Sequence, residues 1–189
     1  MKPRIAILAA GICAAAILAF AGSPTYVTKS ATGTTLSTNI FASSANTQIR
    51  VVGAFAQSDK AGSVISFRTG TTPFTIGASN ASGITLQVVS TNGMPATPTI
   101  LIEAAAGTVL CTVSTVATNI LTLAVASGIA TVPGDQLYVM SAAQTLPVGS
   151  NTVNYQGEAL FVGNSGRPVS VVVDGTSGCT NGPVTARYE

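Results

Sequence analysis

Ile49-Arg50-Val51-Val52-Gly53-Ala54-Phe55-Ala56, followed across a turn by Ser63-Val64-Ile65-Ser66-Phe67-Arg68, is the stretch whose reading decides the fold class. In the second run Val64, Ser66 and Arg68 share one face and Ile65 and Phe67 the other, which is the two-residue period of a half-buried strand. β-Branched residues fill both runs, and no apolar spacing of three and four residues competes with the alternation.

The pattern continues toward the C-terminus. Phe74-Thr75-Ile76 reads as the hairpin partner of Gly83-Ile84-Thr85-Leu86-Gln87-Val88-Val89, where Ile84, Leu86 and Val88 share a face. Thr91-Asn92-Gly93-Met94-Pro95 marks a turn. Strand-like runs then recur at residues 99–102, 108–113, 120–125 and 129–132, and, after a Pro133-Gly134 turn, at 136–140, 152–155, 158–162, 169–173 and 184–188. Only Glu103-Ala104-Ala105-Ala106 and Ser141-Ala142-Ala143-Gln144 invite a helical turn. Short strands with turn signals every eight to twelve residues or so predict an all-β domain over residues 48–189, a two-sheet antiparallel sandwich of jelly-roll-like form.

Toward the N-terminus, residues 22–47 are rich in Ser and Thr and read as a polar arm, with strand-forming pieces at Tyr26-Val27-Thr28 and across 35–41. The same residues also fit a loosely packed first strand of the domain. Residues 1–21 begin with Lys2 and Arg4 and continue as an apolar run over 5–21, ending in Ala19-Phe20-Ala21. A basic start, an apolar stretch and a small-x-small site make an export signal, expected as an N-terminal apolar helix. The run is also at the short end of what spans a bilayer, so a membrane anchor through residues 5–21 stands beside a cleaved signal. Without that segment two cysteines remain, Cys111 and Cys179, and an even count in an exported chain predicts a disulfide. The loop so closed would contribute about 4 kcal/mol in the chain-entropy view.

Composition excludes more than it selects. The 189 residues are 47% hydrophobic and only 7% charged, with no histidine and no tryptophan. Without histidine there is no Ser-His-Asp or Cys-His catalysis and no His-ligated metal. The net charge of +2 vanishes once Lys2 and Arg4 are set aside, and Lys29, Arg50, Lys60, Arg68, Arg167 and Arg187 form no basic stripe, so no nucleic-acid partner is expected. A surface made of hydroxyls and amides suits a chain packed in an assembly or working outside the cell.

The acids select no chemistry. Asp135 and Glu158 could be drawn as a carboxylate pair for glycoside hydrolysis, but nothing singles them out. Asp59, Asp135 and Asp174 all stand within three residues of a glycine, as turn residues do. Asp174-Gly175-Thr176-Ser177-Gly178 lacks the clustered acids of a calcium loop, and Gly163-Asn164-Ser165-Gly166-Arg167 lacks the Lys-Ser or Lys-Thr of a phosphate cradle. Asn80-Ala81-Ser82 matches a glycosylation acceptor, a short pattern that recurs by chance. No catalytic, cofactor or metal residue is therefore assigned, and no cofactor.

Residues 49–56, continuing through Ser63-Val64-Ile65-Ser66-Phe67, and the later Pro133-Gly134-Asp135-Gln136-Leu137-Tyr138-Val139 resemble pieces of small β-sandwich proteins of tailed-phage virions, such as head-decoration and fibre-like subunits. The resemblance covers residues 25–189 loosely and implies a non-enzymatic structural subunit on a virion surface that forms a homo-oligomer or packs on a larger protein assembly. The segment over 5–21 departs from that pattern; a virion with a lipid layer would give it a place as an anchor. The alternative is an exported bacterial cell-surface or extracellular adhesion module.

Overall fold

The computed structural model of the chain describes residues 24–148 and 153–189. Over them it is built from β-strands alone: β1 (Thr25–Gly33), β2 (Leu36–Phe41), β3 (Ile49–Ser58), β4 (Val64–Thr75), β5 (Asn80–Ala81), β6 (Thr85–Gln87), β7 (Thr99–Ala104), β8 (Gly107–Ala117), β9 (Ile120–Leu123), β10 (Ala130–Thr131), β11 (Gln136–Pro147), β12 (Val153–Val162), β13 (Val169–Asp174) and β14 (Cys179–Tyr188). One sheet has four strands in the order β1-β14-β3-β12, another has eight in the order β2-β13-β4-β11-β7-β8-β9-β6, and β10 and β5 form a small ribbon. Every pair between named strands is antiparallel.

The four-stranded sheet lies against the β2-β13-β4 end of the larger one. Between them sit Phe41, Ile49, Val51, Ile65, Phe67, Phe161, Val169, Val171, Val173 and Val184, with the Phe67 and Phe161 rings stacked at 5.9 Å. This layer is the expected sandwich, and β4 presents Ile65 and Phe67 to it as the alternation requires. In β3 the alternation breaks once. Ile49 and Val51 point inward, then Ala54 and Ala56 do, because the pairing with β14 slips between Gly53 and Val51. The extra residue at this bulge turns Phe55 to the outer face, where it is only half-buried.

From β4 onward the large sheet does something a sandwich does not. Chain beyond β4 meets chain beyond β6: Val89 N donates to Thr75 O at 2.9 Å, Gly77 N donates to Gln87 O at 2.8 Å, and Ile76 opposes Val88 in an antiparallel bridge. These bonds bring the last strand of the sheet back to its middle, so β4, β11, β7, β8, β9 and β6 close into a ring. Closure removes the edge that β6 would otherwise expose. The interior holds Ile76, Leu86, Val88, Ile100, Ile102, Val113, Leu121, Leu123 and Leu137.

One long ribbon serves both cores. β4 and β11 pair from Gln136 opposite Thr75 to Pro147 opposite Val64, with register shifts between Tyr138 and Met140 and between Ala142 and Gln144. Each bulge adds local twist and re-aims the strand. As a result Ile65 and Phe67 fill the sandwich while Phe74 and Leu137 pack in the barrel. On the opposite face of the ribbon Leu101, Tyr138 and Met140 form a third, smaller core with Ile40 and Leu110 packed against it.

The expected fold class needs correction on two counts. The chain is not a simple two-sheet jelly-roll-like sandwich, because six strands of the eight-stranded sheet curl into a barrel with its own core. There is also no helix among the described residues, and the expected N-terminal apolar helix over 1–21 lies outside them. Neither stretch expected to make a helical turn is helical. Ala105-Ala106 is the tip of the β7-β8 hairpin, where Gly107 takes a φ of 142° that a side chain would resist, and Ser141-Ala142-Ala143-Gln144 lies inside β11. Cross-strand packing overrides the mild helical preference of alanine there.

The Ser/Thr-rich segment is woven into the domain. β1 is the edge of the four-stranded sheet and β2 the edge of the eight-stranded one, and β2 delivers fully buried Phe41 to the sandwich core.

Candidate functional surface

Several charged side chains of the sandwich are spent on its own loops and chain end. Asp59, after β3, accepts Thr176 N at 2.8 Å on one oxygen, and Ser177 N at 2.7 Å and Ser177 Oγ at 2.5 Å on the other. The Ser177 hydroxyl, then the Thr176 amide, hold the Asp59 carboxyl far below the usual carboxylate range. Asp174 answers from the facing loop, accepting Ser63 Oγ at 3.0 Å and pairing with Lys60. Burial raises the Asp174 pKa, but the bonds from Lys60, Ser63 and the Val64 amide outweigh it and the net shift is downward. At the other end of the sandwich Glu189 pairs with both Arg50 and Arg187.

In this geometry the loop at Asp174-Gly175-Thr176-Ser177-Gly178 holds a carboxylate. Its backbone presents N–H groups to a carboxylate, so it is a nest for the Asp59 anion and not a carbonyl cage for a cation. Among the described residues no cluster of three or more His, Cys, Asp or Glu side chains is placed to hold a metal. Asp135 and Glu158 are not brought together: Asp135 caps the turn before β11 by accepting Val132 N at 2.8 Å, whereas Glu158 is exposed in β12 of the other sheet. Asn80 spends its side chain on a turn, with Oδ1 accepting Gly83 N at 2.7 Å and Nδ2 donating to Thr85 O. Gly163-Asn164-Ser165-Gly166-Arg167 is a turn too, closed by Arg167 N donating to Asn164 O at 3.1 Å.

Cys111 and Cys179 are both free thiols. Cys111 packs against the barrel core and Cys179 belongs to the sandwich core, so the expected bridge would have to join two different interiors. Burial pushes both thiols up, and at Cys179 the charges of Asp59 and Asp174 add to it.

A second polar group lies beside the third core. Burial pushes Glu103 up, and its Oε1 is buried without a hydrogen-bond partner. Burial also raises Tyr138, the Glu103 charge adds to that, and Arg167 opposes it. The Tyr138 hydroxyl donates to Gln136 Oε1 at 2.7 Å and its ring packs with Leu101 and Met140. The phenol is thus occupied and enclosed, and the group works as a polar seal on packed apolar side chains.

The barrel wall of β6, β9 and β8 is exposed and takes no part in these ion pairs. Register places Thr85, Thr122 and Thr115 side by side on one rung, and Gln87, Ile120 and Ala117 on the next, while Leu86, Leu121 and Val116 point inward between them. Val89 continues the outward row and is 63% exposed, Ile120 is 47% exposed, and Ile84 and Val125 at the neighbouring rim are 52% and 75% exposed. No charged side chain stands on this wall. The reason is visible in the chain: no Lys or Arg occurs between Arg68 and Arg167, and the acids in that interval are Glu103, Asp135 and Glu158, none of them on β6, β8 or β9. The interval is a signal that sequence reading passes over when it treats low charge as a property of the whole molecule.

Comparison with known proteins adds no identity. No protein-family model matches the chain, and no curated protein does. Among solved structures it is similar to VP17, a capsid protein of bacteriophage P23-77, at 8% identity and a TM-score of 0.18, over 89% of this chain and 98% of that one. A likeness of that degree carries no argument about fold or function.

Proposed function

We propose that this protein is a non-enzymatic structural subunit that associates with copies of itself or packs into a larger protein assembly, on a virion surface. The observation that supports this reading most directly is the segregation of charge. Charged side chains of the sandwich staple its own loops and chain end, through Asp59, Lys60 and Asp174 and through Arg50, Arg187 and Glu189, while the barrel wall is left uncharged with Val89 and Ile120 exposed on it and Ile84 and Val125 exposed at its rim. Apolar groups gathered on a surface without charge favour burial against protein, and such a surface has little repulsion to keep copies apart. The setting on a virion rests on the resemblance of residues 49–56, 63–67 and 133–139 to phage sandwich proteins. The segment over 5–21, outside the described residues, would serve export or anchoring in a lipid layer.

Electron microscopy of the purified native material tests this. Ordered particles or arrays containing the chain support the reading. A protein that stays monomeric at all concentrations and binds a soluble ligand through the same wall would favour the exported adhesion module.

A further inference from the structure

We infer that the β6-β9-β8 wall of the barrel is a self-complementary interface that meets the same wall of a second copy across a two-fold axis. The inference rests on the reading of the protein as an assembling subunit and names the surface and the occupant.

The occupant follows from the chemistry of the wall. A partner bringing charged groups to it would have to bury them opposite side chains that carry no charge, at a desolvation cost nothing returns. The partner face must therefore also be uncharged, and this chain supplies such a face in its own second copy. The groups on the wall suit a contact with themselves. Threonine hydroxyls and the glutamine amide each donate and accept, so Thr85, Thr122, Thr115 and Gln87 can pair with identical groups whichever way the hydrogens turn. An ionised residue would meet its own like charge across the same axis. Ile120, at the middle strand of the wall, and Val89 supply apolar area that such a contact would bury. Two-fold isologous contacts of this kind are the commonest arrangement of identical subunits.

The experiment measures self-association of the full chain by sedimentation velocity and native mass spectrometry. It compares the wild type with Gln87→Arg, Gln87→Glu and Thr115→Arg on the wall, and Ser165→Arg on an exposed sandwich turn as the control. All three positions are exposed, and far-ultraviolet circular dichroism checks that each variant folds. Like charges placed face to face should weaken association more than about tenfold in each wall variant and leave Ser165→Arg unaffected. Mixing Gln87→Arg with Gln87→Glu should restore mixed pairs, which a folding defect would not do. If the wild type associates and the wall variants associate equally well, this interface is wrong and the subunit reading survives. If the wild type is a monomer throughout, this interface is wrong, and the subunit reading is then decided by whether electron microscopy finds the chain packed against other proteins of an assembly.

Discussion

Asn39 Nδ2 donates to the backbone carbonyl of Asn181 at 2.5 Å, tying the edge strand β2 of the large sheet to β14 of the small one. Asn181 returns the link, its Nδ2 reaching Val171 O at 2.5 Å and Ser37 O at 3.4 Å. Both asparagines are buried, so each bond replaces water that cannot reach the site. Asn39→Ala and Asn181→Ala should each destabilise the fold by about 1–3 kcal/mol, because each leaves buried polar atoms unpaired. The double variant should lose less than the sum, since one network is being cut twice. Urea denaturation of the three variants reads all of this.

Both asparagine variants act on the sandwich, whereas Leu137→Ala opens a cavity in the barrel. Leu137 and Phe67 are fully buried in different cores, and replacing them by alanine should cost about 2–5 and about 3–5 kcal/mol respectively. Because β4 and β11 run through both cores, each variant should shift one common unfolding transition. Calorimetry that resolves two transitions, only one of which moves, would count against the shared ribbon.

Asp59 sets how the sandwich loops respond to acid. Its folded pKa lies far below the unfolded value, so its contribution is present above the ordinary carboxylate range and is lost only as pH falls through the depressed folded value. The loop over 174–178 should remain protected at pH 4 and open only in much stronger acid. Asp59→Asn should open it at every pH. Amide exchange at Thr176 and Ser177, whose N–H groups bond Asp59, follows both effects.

The two thiols should behave as separate cysteines, Cys111 half-buried and Cys179 buried. In the folded protein Cys111 and Cys179 should react slowly with iodoacetamide at pH 8, since burial raises both above the usual thiol range. Unfolding without reductant should make both alkylatable. Mass analysis that finds them joined would overturn the placement of these residues in separate cores.

Removing residues 22–41 should abolish folding. That deletion takes one edge strand from each of the four- and eight-stranded sheets together with buried Ser37, Asn39 and Phe41. Loss of the strand spectrum in circular dichroism and loss of soluble yield are the expected results, whereas a folded remainder would show the segment to be an arm after all.

The strand content was legible in the residues themselves. The alternation of Ile65 and Phe67 with Ser66 and Arg68, and of Leu86 and Val88 with Thr85 and Gln87, is local chemistry that any fold burying one face must respect, and the structure respects it. Low charge and the absence of histidine likewise stood in the composition and removed whole classes of chemistry. Other features depend on pairing between distant segments, which no local pattern records. The meeting of Thr75, Ile76 and Gly77 with Gln87, Val88 and Val89 turned most of a sheet into a barrel, and the pairing of β6 and β8 with β9 set Thr85, Thr122 and Thr115 on one outer rung. The bulge in β3 moved Phe55 out of the core, and the bulged β4-β11 ribbon divided one set of apolar residues between two interiors, placing Cys111 against one and Cys179 in the other. A strand's period states which residues share a face; only closure of the sheet decides what that face meets.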